Sequence, residues 1–334
     1  MKDIGFSAFS DCYNLTKINL PTTLNKIGGQ AFCGCENLVE LEIPAGTKEI
    51  GDGAFSGCSK LVNITIPNSI TSIGVSAFNN CNKLNGIIYE NAIYLGNNEN
   101  PYVYLWNVVN DDIISISIHQ NTRIIGYNAF YGCQNLENVV IPNGVVSIGE
   151  GAFKSLESLI SATIPSSVIS IGNQAFDGCE NLTNVSIANG VTNIGFSAFS
   201  GCKKLTNIML PNTVTIIGSS AFEGCSELTD IVIPNQITNI DEDTFRSCSS
   251  LKSVTIPNGV ISIGVSAFYH CEKLRSITIP VSVTSIEDSA FEYCMNLTSV
   301  KYRGSETQWK NVSKGLFWDS HTDSCSVTYN YTGK

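Results

Sequence analysis

Ile-Gly-Asp-Gly-Ala-Phe-Ser-Gly-Cys (Ile50–Cys58) returns 23 residues later as Ile-Gly-Val-Ser-Ala-Phe-Asn-Asn-Cys (Ile73–Cys81). Its phenylalanine falls at Phe9, Phe32, Phe55 and Phe78. After a gap of 52 residues it resumes at Phe130, Phe153, Phe176, Phe199, Phe222, Phe245, Phe268 and Phe291. A fixed period of this size marks a solenoid, in which no repeat buries its own apolar face and each must stack on its neighbours.

The neighbouring columns are as regular. Leu stands six residues after every Phe (Leu15, Leu38, Leu61 and on to Leu297), and Ile five before it (Ile4, Ile27, Ile50 and on to Ile286). Ala precedes the Phe except at Thr244, and Cys follows three residues later except at Leu156. Runs such as Leu61–Pro67 alternate apolar positions, Ile64 and Ile66, with the period of a half-buried strand. Strands recurring once per coil lie parallel. Pro, as at Pro67 and Pro142, ends the strand because it has no N–H for the ladder. The Gly four before the Phe (Gly28, Gly51, Gly74, Gly126) suits a backbone corner, although Asp241 and Glu287 replace it in two copies. The Ala-Phe-x-Gly-Cys stretch reads as one or two helical or 3₁₀ turns. These features define an α/β repeat solenoid with one parallel β-sheet and short helical or 3₁₀ turns opposite it.

The columns Leu-x-x-Ile-x-Ile-Pro-x-x-Val-x-x-Ile-Gly-x-x-Ala-Phe-x-Gly-Cys resemble the 23-residue leucine-rich repeat of the Treponema type, found in BspA-like bacterial surface proteins. The resemblance covers about residues 4–302. It implies a right-handed leucine-rich superhelix, a cell-surface or secreted location, and adhesion to host extracellular proteins (matrix proteins among them) or to other cells.

Two places break the pattern. The gap of 52 equals one step of 23 and one of 29, giving thirteen strand slots for twelve Phe. The strand slot there is kept by Ile113, Ile116 and Ile118, all expected to be buried, with His119 in place of Pro. The missing turn segment is replaced by Asn91–Trp106, in which two aromatic runs flank Gly-Asn-Asn-Glu-Asn-Pro, a β-hairpin signature within about 89–107. Beyond a solenoid of residues 1–302, residues 303–334 resemble the family's C-terminal cap. Ser305 or Thr307 starts a short helix, Trp309 turns onto the last coil, and Ser-Val-Thr-Tyr-Asn-Tyr closes as a strand.

Charged residues are 14% of the chain, against about 25% in ordinary domains. The net charge of −10 and pI near 4.8 oppose nucleic-acid binding and anionic lipid. No apolar run approaches the roughly 20 residues of a membrane span. Because Met1 stands mid-repeat, the chain reads as a piece of a longer precursor, and the lack of a signal peptide carries no weight. Eleven of the 13 Cys share one inward column and read as free, buried thiols, with disulfides between coils as the alternative. His119, His270 and His321 are far apart and none pairs with a nucleophile, so no catalytic residues are assigned. No metal-ligand spacing occurs, and Asp241–Asp243 is a lone acidic turn; neither a metal nor a cofactor is expected.

Two surfaces remain as candidate partner sites. The outward strand slots include Asn138, Val140, Asn184, Asn207, Met209, Asp230 and Val232. They either bind a protein ligand or form a solubilising face. The hairpin aromatics Tyr94, Tyr102, Tyr104 and Trp106 either form a contact patch or pack back to replace the lost Phe coil. The function expected is a non-enzymatic cell-surface adhesion module. A structural spacer projecting another domain is the alternative, as is a glycan-binding module with exposed aromatic platforms near the hairpin.

Overall fold

A computed structural model of the chain describes residues 1–322 and 325–332. The chain is a β-solenoid of about 14 turns, and it divides into two compact units. The first comprises Met1–Asp111, Ile116–Tyr131 and Pro142–Ala152. The second comprises Asp112–Ser115, Gly132–Ile141 and the chain from Phe153 onward.

Each regular coil contributes two strands, not the one that the pattern suggests. The face strand follows the Leu column, and a two-residue corner strand ends on the Ile column. In the second unit the face strands run from Asn138–Val140 through Ser161–Ile164, Asn184–Ile187 and Asn207–Met209 to Ser326–Thr328. All neighbours pair in parallel, each shifted by one 23-residue repeat, as in Asn184↔Asn207 and Asn207↔Asp230, except the last pair, Ser299↔Ser326, which is shifted by 27. Corner strands stack the same way, as in Ile194↔Ile217 of the second unit and Ile27↔Ile50 of the first.

The return segment is not helical, contrary to the expectation from Ala-Phe-x-Gly-Cys. The reason lies in where its N–H groups go. In the Phe55 coil, the N–H groups of Gly53, Phe55 and Gly57 donate to Val75, Ala77 and Asn79 carbonyls of the next coil, each at 2.8 Å. The alternate N–H groups, of Ala54, Ser56 and Cys58, donate to the carbonyl three residues back, at 2.9–3.2 Å. A helix would use every N–H internally. Here half of them join coils, and the segment is a string of tight turns. Left-handed residues two before and two after the Phe (Gly53 at φ 58, Gly57 at φ 77) turn the backbone so that the alternation works. The Gly four before the Phe has a different task from the one its sequence suggests, since its φ is not positive. A Cβ on Gly28 would lie 2.7 Å from the Gly5 carbonyl carbon, and one on Gly126 2.6 Å from the Leu105 oxygen. That glycine lets consecutive coils touch.

The core is a set of columns. Phe32, Phe55 and Phe78 are buried and stack ring on ring, 5.4 and 5.7 Å apart with planes within 5°. The Cys column is buried from the second coil on, while Cys12, with a coil on one side only, is exposed. Nine thiols of the column donate to a carbonyl: Cys58 Sγ donates to Phe32 O at 3.2 Å and Cys202 Sγ to Phe176 O at 3.2 Å, for example. None of the cysteines is in a disulfide. Burial pushes the thiols of Cys81, Cys179 and Cys225 up to about 12. They stay protonated near neutrality and are poor nucleophiles. A maleimide should therefore label Cys12 quickly and the buried column only after denaturation. Rapid labelling of the column in native buffer, or a mass deficit of about two units per Cys pair in the oxidised chain, would contradict this arrangement.

The C-terminal segment continues both ladders. The sole α-helix among the described residues, Glu306–Lys310, starts at Ser305, whose side chain and Gln308 form a reciprocal capping box. Trp309 is buried against Tyr302, with ring centroids 5.0 Å apart. Ser313–Lys314 then pairs with the corner strand Ser285–Ile286. The next turn repeats the regular backbone, with left-handed Phe317 (φ 57) and His321 (φ 58). Trp318 stands where other coils have Ala, its carbonyl accepting from Phe291 N–H at 2.7 Å, and Asp319 stands in the Phe slot. This is a degenerate coil that sequence columns alone do not reveal.

Candidate interaction surfaces

On the second unit, the face strands present two outward columns. One runs Asn138, Ser161, Asn184, Asn207, Asp230 and Ser253, in register. Its amides and hydroxyls meet along the ladder, as where Ser161 Oγ donates to Asn138 Oδ1 at 3.2 Å. The other carries Val140, Thr163, Ser186, Met209, Val232 and Thr255. Val140, Met209 and Val232 are 71%, 78% and 80% exposed. Met209 and Val232 occupy the same repeat position on paired strands, so they form one apolar spot in a hydroxyl-rich face. All seven face residues named from the sequence are exposed.

The hairpin residues divide differently. Ala92–Leu95 pairs antiparallel with both Ile87–Tyr89 and Tyr104–Val108, a three-stranded meander. Its last strand then runs parallel to Ile124–Ile125, so Leu105 takes the place of a column Ile. Tyr94 and Tyr104 are buried and not part of a contact patch. Tyr94 Oη accepts from His119 N–H at 3.1 Å, and Tyr104 packs on Phe78 at 5.8 Å, filling the volume of the absent Phe. Tyr102 stacks on His119, with centroids 3.6 Å apart, and burial lowers the His119 pKa. Tyr102 and Trp106 keep partial exposure. Ile118 is buried as expected, but Ile113 and Ile116 are only half-buried. The meander also turns Ile87 and Ile88 to the surface, at 49% and 62% exposure.

The loop after Ala92–Leu95 folds over the face strands of the first unit. Ile66 N–H donates to Gly96 O, and Asn97 Nδ2 to Ile66 O, both at 2.8 Å. A groove of about 1100 Å³ results, lined by polar side chains including Lys17, Glu40, Glu42 and Asn98. A second feature not anticipated from sequence lies on the turn side of the second unit. Tyr293 is sandwiched between His270 and His321, at 4.7 and 4.4 Å, all three at left-handed positions mostly held elsewhere by Gly, Ser or Asn. Reading the column two after each Phe would have exposed His270 and Tyr293, but not His321, which stands two after Asp319. Among the described residues no group of His, Cys, Asp or Glu is arranged to hold a metal ion, and no helix is long and apolar enough to cross a membrane.

Parallel coils with a Leu-Ile-Ile face strand and a buried Leu column define a leucine-rich-repeat protein. The chain belongs to the BspA-type leucine-rich-repeat family, whose model matches residues 2–99, 109–229 and 215–332. Among solved structures it is similar to a leucine-rich cell-surface protein of Faecalibacterium prausnitzii, at 30% identity over 93% of this chain and 86% of that one, with a TM-score of 0.44. It is also similar to a leucine-rich-repeat protein of Bacteroides ovatus, at 25% identity over 98% and 87% of the two chains, with a TM-score of 0.55. Comparison with curated proteins returns no match. Repeats of this kind are typically non-enzymatic interaction modules.

Proposed function

We propose that the chain is an adhesion module of a bacterial cell surface, and that the outward face of its second unit docks a host or extracellular protein. The observation that carries this reading is the pair Met209 and Val232. Two large apolar side chains, 78% and 80% exposed, stand side by side on a ladder lined mostly by Asn, Ser and Thr. Apolar anchors ringed by polar groups are the usual centre of an interface. Asn138, Asn184, Asn207 and Asp230 would supply the polar rim, and Val140 a further apolar contact. Binding centred there depends little on salt, because Asp230 is the one charge among these seven residues. Residues 303–334 close the C-terminal end of the solenoid in this reading, and membership of the family supports a location outside the cell.

The test is attachment to immobilised matrix proteins. Met209→Asp combined with Val232→Asp should abolish attachment and leave the denaturation midpoint unchanged, since both side chains are in solvent. Undiminished attachment by the double variant rules out this face. A parent chain that attaches to no matrix protein favours a spacer that projects another domain.

A further inference from the structure

Where the inserted coil omits its turn segment, the ladder between coils is cut, and the cut leaves a cleft in the first unit. In the three coils before it, the N–H groups two before the Phe, at the Phe and two after it all donate to the next coil. The Phe78 coil has no such neighbour. Its Asn80 N–H turns to the Asn79 side chain at 3.1 Å. The N–H groups of Ser76 and Phe78 meet no acceptor among the described residues. On the other side of the cut, the carbonyls of Tyr127, Ala129 and Tyr131 occupy the positions that accept such bonds in regular coils, and no backbone N–H among the described residues reaches them. Unpaired backbone groups in a half-buried wall are costly, so this cleft favours an occupant rich in hydrogen-bonding groups.

The cleft holds about 480 Å³, within the usual range of roughly 300–1,000 Å³ for small-molecule sites. Its floor is closed by Tyr104 against Phe78. Its lining carries five amide side chains, Asn79, Asn80, Asn82, Asn107 and Asn128, and not one charged group, in a chain of net charge −10. Trp106 and Tyr131 complete the rim, and Tyr131 is 72% exposed. Each amide both donates and accepts, which matches hydroxyl groups that do the same. The aromatic rings offer flat apolar faces, which match the C–H face of a pyranose. The lack of charge gives no hold on a phosphate, sulfate or carboxylate. A peptide strand completing the ladder fits less well, because its inward side chains need the volume that Tyr104 occupies.

We infer that this cleft is a binding site for a neutral carbohydrate of one or two pyranose units. The inference is independent of the protein-docking face on the second unit, and the two can fail separately.

The full-length chain is tested on an array of neutral and sialylated oligosaccharides, and hits are titrated calorimetrically and by Trp fluorescence. Neutral sugars should bind. Tyr131→Ala should weaken binding roughly tenfold through the lost ring contact, with an unchanged denaturation midpoint because the ring is exposed. Asn107→Ala should weaken it as well. Met209→Asp with Val232→Asp should bind sugar like the parent, whatever it does to matrix attachment. The inference is overturned by no heat signal at millimolar sugar, by affinity confined to sialylated glycans, or by sugar binding that survives both cleft variants. It is equally overturned if a synthetic peptide of sequence Ile50–Cys58 binds the cleft and the sugars do not.

Discussion

Phe199→Ala should lower the unfolding free energy by roughly 3–5 kcal/mol, the cost of a large cavity that a rigid core does not close. Phe199 is fully buried and sits in the middle of the second unit, stacked on Phe176 at 5.3 Å and on Phe222 at 5.7 Å. Its coil is held on both sides: Phe199 N–H donates to Ala221 O at 2.8 Å and Phe199 O accepts the Cys225 thiol at 3.2 Å, both in the next coil, while Ala198 O accepts from Phe176 N–H of the preceding coil at 2.8 Å. The coils around it therefore cannot sink into the space left. Phe9 has a stacking partner on one side only, Phe32 at 5.1 Å, and is only partly buried. Phe9→Ala should cost much less. Chemical denaturation of both variants checks the contrast, and equal shifts in midpoint would mean that stacking between coils does not set the stability.

Tyr104→Ala should be as damaging, also by roughly 3–5 kcal/mol, although this residue lies outside every repeat column. Its ring stands in for the absent Phe and covers Phe78, so its removal opens the end of the Phe9–Phe78 stack to solvent. Burial raises the Tyr104 pKa and outweighs the opposing hydrogen bond with the Tyr127 backbone, so it remains a neutral phenol. Tyr104→Phe keeps the ring and should lose only about 1–2 kcal/mol for the hydroxyl. The comparison isolates the ring from its polar tip. An Ala variant as stable as the Phe variant would show that the inserted coil is not continuous with the core.

What could be read from the sequence follows from repetition. The Phe, Leu, Ile and Cys columns state the same packing problem in coil after coil, and the inward set was legible from them, as was the short helix after Ser305 with Trp309 on its buried side. Local signals were less informative. Gly53-Ala54-Phe55-Ser56-Gly57 looks like a helical turn because its sequence does not say whether an N–H bonds three residues back or reaches the next coil. Gly51 and Gly57 are both glycines, yet one serves close approach and the other a left-handed φ, and only the folded backbone separates them. The exposure of Met209 and Val232 was visible because they kept the repeat phase. Tyr94 and Tyr104 turned inward because the meander abandons that phase. The cleft was invisible because it is made of missing partners at Ser76 and Phe78 rather than of a residue pattern.

The alternation of hydrogen bonds in the return segment also bears on how such a chain can change length. Each uninterrupted coil hands alternate N–H groups of its return segment forward and receives those of the coil before it at fixed addresses. Gain or loss of a whole 23-residue unit keeps every address and needs no repair elsewhere. An insertion that is not a multiple of the unit has no address to fill. Here the chain accommodates the 29-residue step by running back on itself as an antiparallel meander and leaving out one return segment. A phase error in the repeat is thereby converted into a concave, amide-lined surface. In a scaffold whose regular coils are all alike, such interruptions are where one member can come to differ from another.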